Sequence, residues 1–188
     1  MLSPGGVWDS LHRQADRPLQ IESLGSSFLL VAHQLGFWTV QLNLSHGSQN
    51  QGGSLADTLA AIQSVVQAVV VIALWVAFAR GPATPERLVR YSAACVAAFI
   101  AFGKVLSPQF LIWLLPLVPL VRGRRGLAAS AVLAVALVLT QLWFPNRYWR
   151  LALDQDAIAS WLVFARDLVL VALVLVLAMP RREGARTT

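Results

Sequence analysis

The feature that most limits this chain is Tyr91–Val121, 31 largely apolar residues in which Lys104 is the single charge and which are fenced by arginines at both ends. A helix crossing the hydrocarbon core needs roughly 20 residues, and a single helix over the whole stretch would run about 46 Å. Pro108 breaks it, and the residue before a proline, Ser107, is biased out of the helical region. Arg80, Arg87 and Arg90 precede the stretch, and Arg122, Arg124 and Arg125 follow it. Basic clusters sit on the cytoplasmic side of a membrane. Both clusters can do so only if the stretch crosses an even number of times. The expected arrangement is a hairpin, 88–106 going out and 109–121 coming back, with Ser107-Pro108-Gln109 at the turn; the returning arm is short, carries Pro116 and Pro119, and reads as a kinked or partly re-entrant helix.

Three further apolar runs read as one span each: 55–79, 127–144 and 158–179. Composition agrees, with 57% apolar and 13% charged residues, against about 25% charged in soluble domains. Such a surface excludes an ordinary soluble enzyme, a disordered tail and a nucleic-acid module. The expected fold is all-α: a polytopic helical membrane protein of about five transmembrane helices, preceded by an extracytoplasmic segment. Residues 1–54 form that segment, 55–179 the bundle and 180–188 a cytoplasmic tail. Residues 1–54 and 145–157 then lie outside a plasma membrane, and 80–90, 122–126 and 180–188 inside. This puts nine arginines (80, 87, 90, 122, 124, 125, 181, 182, 186) on the cytoplasmic side and four (13, 17, 147, 150) outside.

The N-terminal segment holds a weaker apolar patch, Leu24–Trp38, interrupted by His33 and Gln34. Its 15 residues suit an interfacial or re-entrant helix; a sixth span, with 1–20 inside, is the alternative. Gln41–Ser54 reads as a polar loop. No cleavable signal peptide is expected, because residues 1–20 are polar.

Lys104 is the single lysine, set deep along the outgoing helix. It reads either as a snorkelling side chain or as an ammonium facing an anion such as a lipid-carrier phosphate. Ser107 and Gln109 flank the break beside it. Freed backbone groups at membrane depth are tolerated only where they line protein or a cavity. Lys104, Ser107 and Gln109 are therefore one candidate site, with a plain proline turn as the alternative. Arg166 and Asp167 lie inside the last span. Neighbours in sequence do not face each other on a helix, so each is expected to need its own partner; Arg166 reaches the same outer site or snorkels.

Arg17-Pro18-Leu19-Gln20-Ile21-Glu22-Ser23 is dense in hydrogen-bonding groups, and Glu22-Ser23 also suits a helix start. Asp154-Gln155-Asp156 has the form of a metal-binding motif but sits just before a span, where an aspartate serves as an N-cap. No metal site is expected: His12, His33 and His46 lack zinc spacing and Cys95 is the single cysteine. Gln63 and Gln67, one turn apart, read as glue between helices. Trp38, Trp143, Trp149 and Trp161 fall at predicted outer boundaries, as an interfacial belt does.

The segment from Arg17 to Ser23, followed by Ser26-Ser27-Phe28-Leu29-Leu30 and His33, resembles a signature of bacterial glycosyltransferase family 87. So does Gly103-Lys104-Val105-Leu106-Ser107-Pro108-Gln109-Phe110 with Trp113-Leu114-Leu115-Pro116. That family comprises GT-C integral membrane enzymes, commonest in actinobacteria; Phe110 stands where its members often have tyrosine. The resemblance implies transfer of a hexose, typically mannose, from a polyprenyl-phosphate donor to a lipid or glycan acceptor on the outer face of the plasma membrane. Family members are longer, and their proposed catalytic carboxylate lies in an early extracytoplasmic loop to which nothing here corresponds. The chain is thus expected to be a C-terminal half, lacking the catalytic residue and partnered by an N-terminal half, with no cofactor assigned. Substrate contacts are expected from Lys104, Ser107 and Gln109 on the donor phosphate, and from Arg17, Gln20, Glu22 and Arg166 on the sugar or acceptor side. A non-enzymatic subunit binding lipid-linked sugar, and part of a transporter or flippase, are the rival readings.

Overall fold

The computed structural model describes residues 16–179, together with Gly6, Trp8, Asp9, His12 and Gln14. The expected cytoplasmic tail 180–188, with Arg181, Arg182 and Arg186, and Arg13 near the N-terminus lie outside the described residues. The chain is a helical membrane protein. In order it forms α1 (Leu24–Gln34), a hairpin of β1 (Leu42–Ser45) and β2 (Ser48–Gln51), then α2 (Ser54–Ala79) and α3 (Pro85–Ala101). Two 3-10 segments follow, Pro108–Leu114 and Val118–Leu120, then α4 (Gly123–Trp143), the short α5 (Tyr148–Asp154) and α6 (Ala157–Ala178). Among the described residues three helices, α2, α4 and α6, are long and apolar enough to cross a membrane.

The arginines tie one end of the bundle together. Arg87 donates to the carbonyls of Ala77 and Phe78, each at 3.0 Å, and Arg90 donates to those of Leu177 and Met179 at 3.4 and 3.0 Å. The start of α3 thereby caps the C-termini of α2 and α6, whose last carbonyls lack intrahelical partners. Glu86 and Arg122 approach to 3.8 Å across the same end. The chain between them therefore leaves and returns to the level it started from.

The two limbs of that excursion differ from the expected spans. The outgoing helix stops at Ala101, not 106, and the return is a chain of 3-10 turns rather than an α-helix. Pro108, Pro116 and Pro119 remove the amide donors a regular α-helix would use, and the chain stretches instead. At about 2.0 Å per residue, the thirteen residues of 108–120 cover roughly what seventeen cover in α3 at about 1.5 Å. The returning segment packs on α3 and α4, and its fully buried Leu111, Leu114 and Val118 share one core with the alanines of α3 (Ala94, Ala97, Ala98, Ala101) and with residues of α4 and α6. Small side chains are what allow helices to approach closely without a solvent-driven force between them.

At the opposite end, Gln41–Ser54 is a β-hairpin and not a plain loop. His46 (φ 54°) and Gly47 (φ 70°) both take left-handed backbone angles in its turn, the requirement of a tight two-residue hairpin. Segment 19–21 runs along β2 as a further edge: Ile21 N donates to Gln49 O at 3.0 Å and Gln51 N to Leu19 O at 2.8 Å.

The patch expected over 24–38 becomes α1, 11 residues long, about 16 Å and too short to span. It packs against α6 in the opposite direction. Ser27 lies beside Asp167, while the Gln34 amide reaches Gln155 O at 2.6 Å. Trp143, expected in an interfacial belt, is instead fully buried in a cluster with Ile21, Leu30 and Leu151. Trp149 and Trp161 remain exposed and Trp38 is half-buried.

Candidate functional site

The two segments that carry the family resemblance lie far apart in sequence and fold onto each other. Gln20 N donates to the carbonyl of Lys104 at 2.9 Å. A second link runs through Gln63 of α2: its Oε1 accepts from Gly25 N at 2.7 Å and its Nε2 donates to Gly103 O at 2.7 Å. Gln67, one turn on, donates to Phe99 O at 2.8 Å. These are the groups left over where α3 breaks off, and at membrane depth they need partners within the protein. Both ends of the Gln63 strap are glycines, and at Gly103 backbone leaves no room for a side chain. A Cβ at Gly25 would stand 2.5 Å from Gln63 Oε1, and one at Gly103 would stand 2.8 Å from Phe99 O.

Lys104 is half-buried in this loop. Burial lowers its pKa from the ordinary lysine value, Asp16 acts to raise it, and Arg17 beside it acts to lower it further. Arg17 itself turns toward the hairpin, donating to Ser48 Oγ at 3.4 Å and His46 O at 3.5 Å. Ser107 is half-buried at the head of the first 3-10 segment, and Gln109 is exposed on that segment's first turn.

The interior of the site lies one layer below. Gln20, Glu22, Ser23, Arg166 and Asp167 are all buried. Gln20 Nε2 donates to Glu22 Oε2 at 3.0 Å, and Ser23 Oγ donates to Gln20 O at 2.8 Å. Ser23 therefore occupies the N-cap position of α1 with its hydroxyl turned backward. Arg166 Nη2 donates to the main-chain carbonyl of Glu22 at 2.8 Å, and the guanidinium stands 5.9 Å from the Trp143 ring centroid. Burial pushes the Glu22 carboxyl from 4.5 up to about 8; Arg166 opposes the shift and Asp167 adds to it.

Arg166 and Asp167 do pair, contrary to expectation: Arg166 Nε lies 2.9 Å from Asp167 Oδ1. Sequence neighbours point about 100° apart on a helix, but α6 packs against α1, α3, α4 and α5, and both positions fall within its buried face while Leu168 beside them is exposed. The arginine stem is long enough to fold sideways along the helix. Snorkelling is excluded, since the Arg166 side chain has no exposure.

The structure thus joins Gln20, Glu22 and Arg166 by direct hydrogen bonds, and joins Gln20 to Lys104 through the backbone. Ser107 and Gln109 sit further along the same loop, and Arg17 lies on its hairpin side. The sequence reading missed Asp167 as a partner, Trp143 as a wall and Gln63 as the strap between the two motifs. Asp154-Gln155-Asp156 holds no metal cluster among the described residues. Asp156 instead caps α6, its Oδ1 accepting from Ala159 N at 2.9 Å.

No curated protein and no solved structure matches this chain. The profile of the Mannosyltransferase (PIG-M) family matches residues 31–179, from within α1 to the end of α6 and including the Lys104 loop. The chain therefore belongs to the PIG-M mannosyltransferase family.

Proposed function

We propose that the chain serves transfer of mannose from a polyprenyl-phosphate donor to a lipid or glycan acceptor on the outer face of the plasma membrane, as in the bacterial family 87 enzymes it resembles. One observation carries this reading: the Gln20 N to Lys104 O bond at 2.9 Å, which seats the Arg17–Ser23 segment against the Lys104 loop. The donor's lipid stays in the bilayer while its sugar-phosphate sits at the surface. Charge grows on the phosphate as the glycosidic bond breaks, and cations placed there favour the transition state over the ground state. Lys104, flanked by Arg17, supplies that cation, and Ser107 and Gln109 supply hydrogen-bond donors on the same loop. Gln20 and Glu22 line the sugar side, backed by Arg166.

No described residue is assigned as the base that takes the acceptor's proton. Glu22, with its pKa near 8, is protonated at neutral pH and unsuited to that role.

The test is binding and transfer with radiolabelled polyprenyl-phosphate-mannose, using the chain in proteoliposomes. Lys104→Ala should weaken donor binding about tenfold or more, the loss of one charge-assisted hydrogen bond. Binding that is unchanged in Lys104→Ala overturns the phosphate assignment. Donor binding without transfer favours a sugar-lipid-binding subunit instead.

A further inference from the structure

Two carboxyls and one guanidinium are buried together. Arg166 and Asp167 side chains are fully buried, and Glu22 is 2% exposed. Arginine does not deprotonate in proteins, so with both carboxyls ionised the group would carry a net negative charge. Burying an uncompensated charge is costly enough that a group takes up a proton instead. Among the described residues, the cation that acts on both carboxyls is Arg166. Tyr148 on α5 feels Glu22, Ser27 on α1 lies beside Asp167, and Trp143 on α4 faces Arg166. The α2 and Lys104-loop contacts to this segment are the Gln63 amide at Gly25 and a main-chain carbonyl at Gln20. Polar capacity also remains within the group: Gln20 Oε1, Glu22 Oε1, Trp143 Nε1 and Arg166 Nη1 are buried and have no hydrogen-bond partner among the described residues.

We infer that Arg166 and Asp167 are positioning residues, seating the Arg17–Ser23 segment through a buried Glu22–Arg166–Asp167 group that keeps one of its two carboxyls protonated. Arg166 grips the segment at the Glu22 carbonyl, 144 positions earlier in the chain. Asp167 fixes the guanidinium from one side, and the protonated carboxyl brings the group to zero net charge. Loss of that proton leaves a buried negative charge under the segment and loosens it. The inference rests on the proposed function only in taking this segment to line the sugar side; the triad itself is read without substrate.

The experiment is infrared spectroscopy of the reconstituted chain at neutral pH, following the carbonyl stretch of a protonated carboxyl. The wild type should show the band. Glu22→Gln and Asp167→Asn should each abolish it, because either variant leaves one carboxylate balancing one guanidinium with no proton needed. A wild type without the band, or a band that survives either substitution, overturns the protonated carboxyl. Seating is read by thiol labelling of Ser23→Cys in a Cys95→Ser background. Labelling should be slow at neutral pH, and about tenfold or more faster at alkaline pH. Adding Glu22→Gln should remove the alkaline acceleration; acceleration that persists overturns the coupling of proton to position. Failure of donor binding with the band intact would reject the proposed function and leave the triad standing.

Discussion

The guanidinium of Arg166, ten residues into α6, donates at 2.8 Å to the main-chain carbonyl of Glu22, in the segment just before α1. At about 1.5 Å per residue, Arg166 sits roughly 14 Å along α6 from its start. The segment from Arg17 to Ser23 therefore dips deep into the bundle, and α1 climbs back out along α6. Non-helical backbone at such depth needs a partner inside the protein, and Arg166 provides one.

Replacing Arg166 by Met should destabilise the chain by about 3–5 kcal/mol, because Asp167 and Glu22 would be left buried without a cation. Arg166→Lys should recover only part of the loss. A lysine ammonium lacks the planar fork that serves the Glu22 carbonyl and the Asp167 carboxylate together. Thermal unfolding in detergent, compared across the three proteins, measures this.

The Glu22 carboxyl makes stability depend on pH. Its folded pKa of about 8 exceeds the ordinary 4.5, so between those values the folded chain binds more protons than the unfolded one. Stability is then highest at the acid side of that window and falls as pH rises through it, by up to about 1.4 kcal/mol per unit. Glu22→Gln should remove this share of the slope. Denaturation midpoints at a series of pH values check it; a wild-type slope no steeper than that of Glu22→Gln refutes it.

The fold was legible where charge and hydropathy work over long distances. The apolar runs at 55–79, 127–144 and 158–179 correspond within a few residues to α2, α4 and α6. The return was legible as a proline-kinked arm but not as 3-10 turns, since hydropathy counts residues while three prolines change the rise per residue. The hairpin at 42–51 was missed because His46-Gly47 is a weaker turn signal than Asn-Gly. In the site, Gln20, Glu22 and Arg166 could be named from their types and motif, but the Arg166–Asp167 pair could not. Helix spacing rules describe surface helices, where neighbours diverge into solvent, whereas α1, α3, α4 and α5 cover α6 widely enough to bury two successive positions.

Arg90→Ala should shorten α6 from its C-terminus. The side chain reaches Leu177 O and Met179 O, and a cation at a helix C-terminus contributes about 0.3–1 kcal/mol beyond its hydrogen bonds. A total cost of about 1–2 kcal/mol is expected. It should be seen as faster amide exchange confined to the last turn of α6, with the Arg166 region unchanged.

Gln63→Leu tests the strap between the two motifs most directly. The substitution keeps an apolar side chain of similar size but removes the acceptor for Gly25 N and the donor for Gly103 O, both held at 2.7 Å. Each backbone group left unsatisfied in a buried setting costs about 1–3 kcal/mol, so the pair should cost about 2–6 kcal/mol. Gln63→Glu separates the two halves of the effect. At a pH high enough to ionise it, the carboxylate still accepts from Gly25 N but repels the Gly103 carbonyl, so the Lys104 loop should loosen while the start of α1 stays in place. Amide exchange should then rise at 103–106 and not at 25–27. The opposite pattern, or equal exchange in both segments, would show that Gln63 does not bridge them.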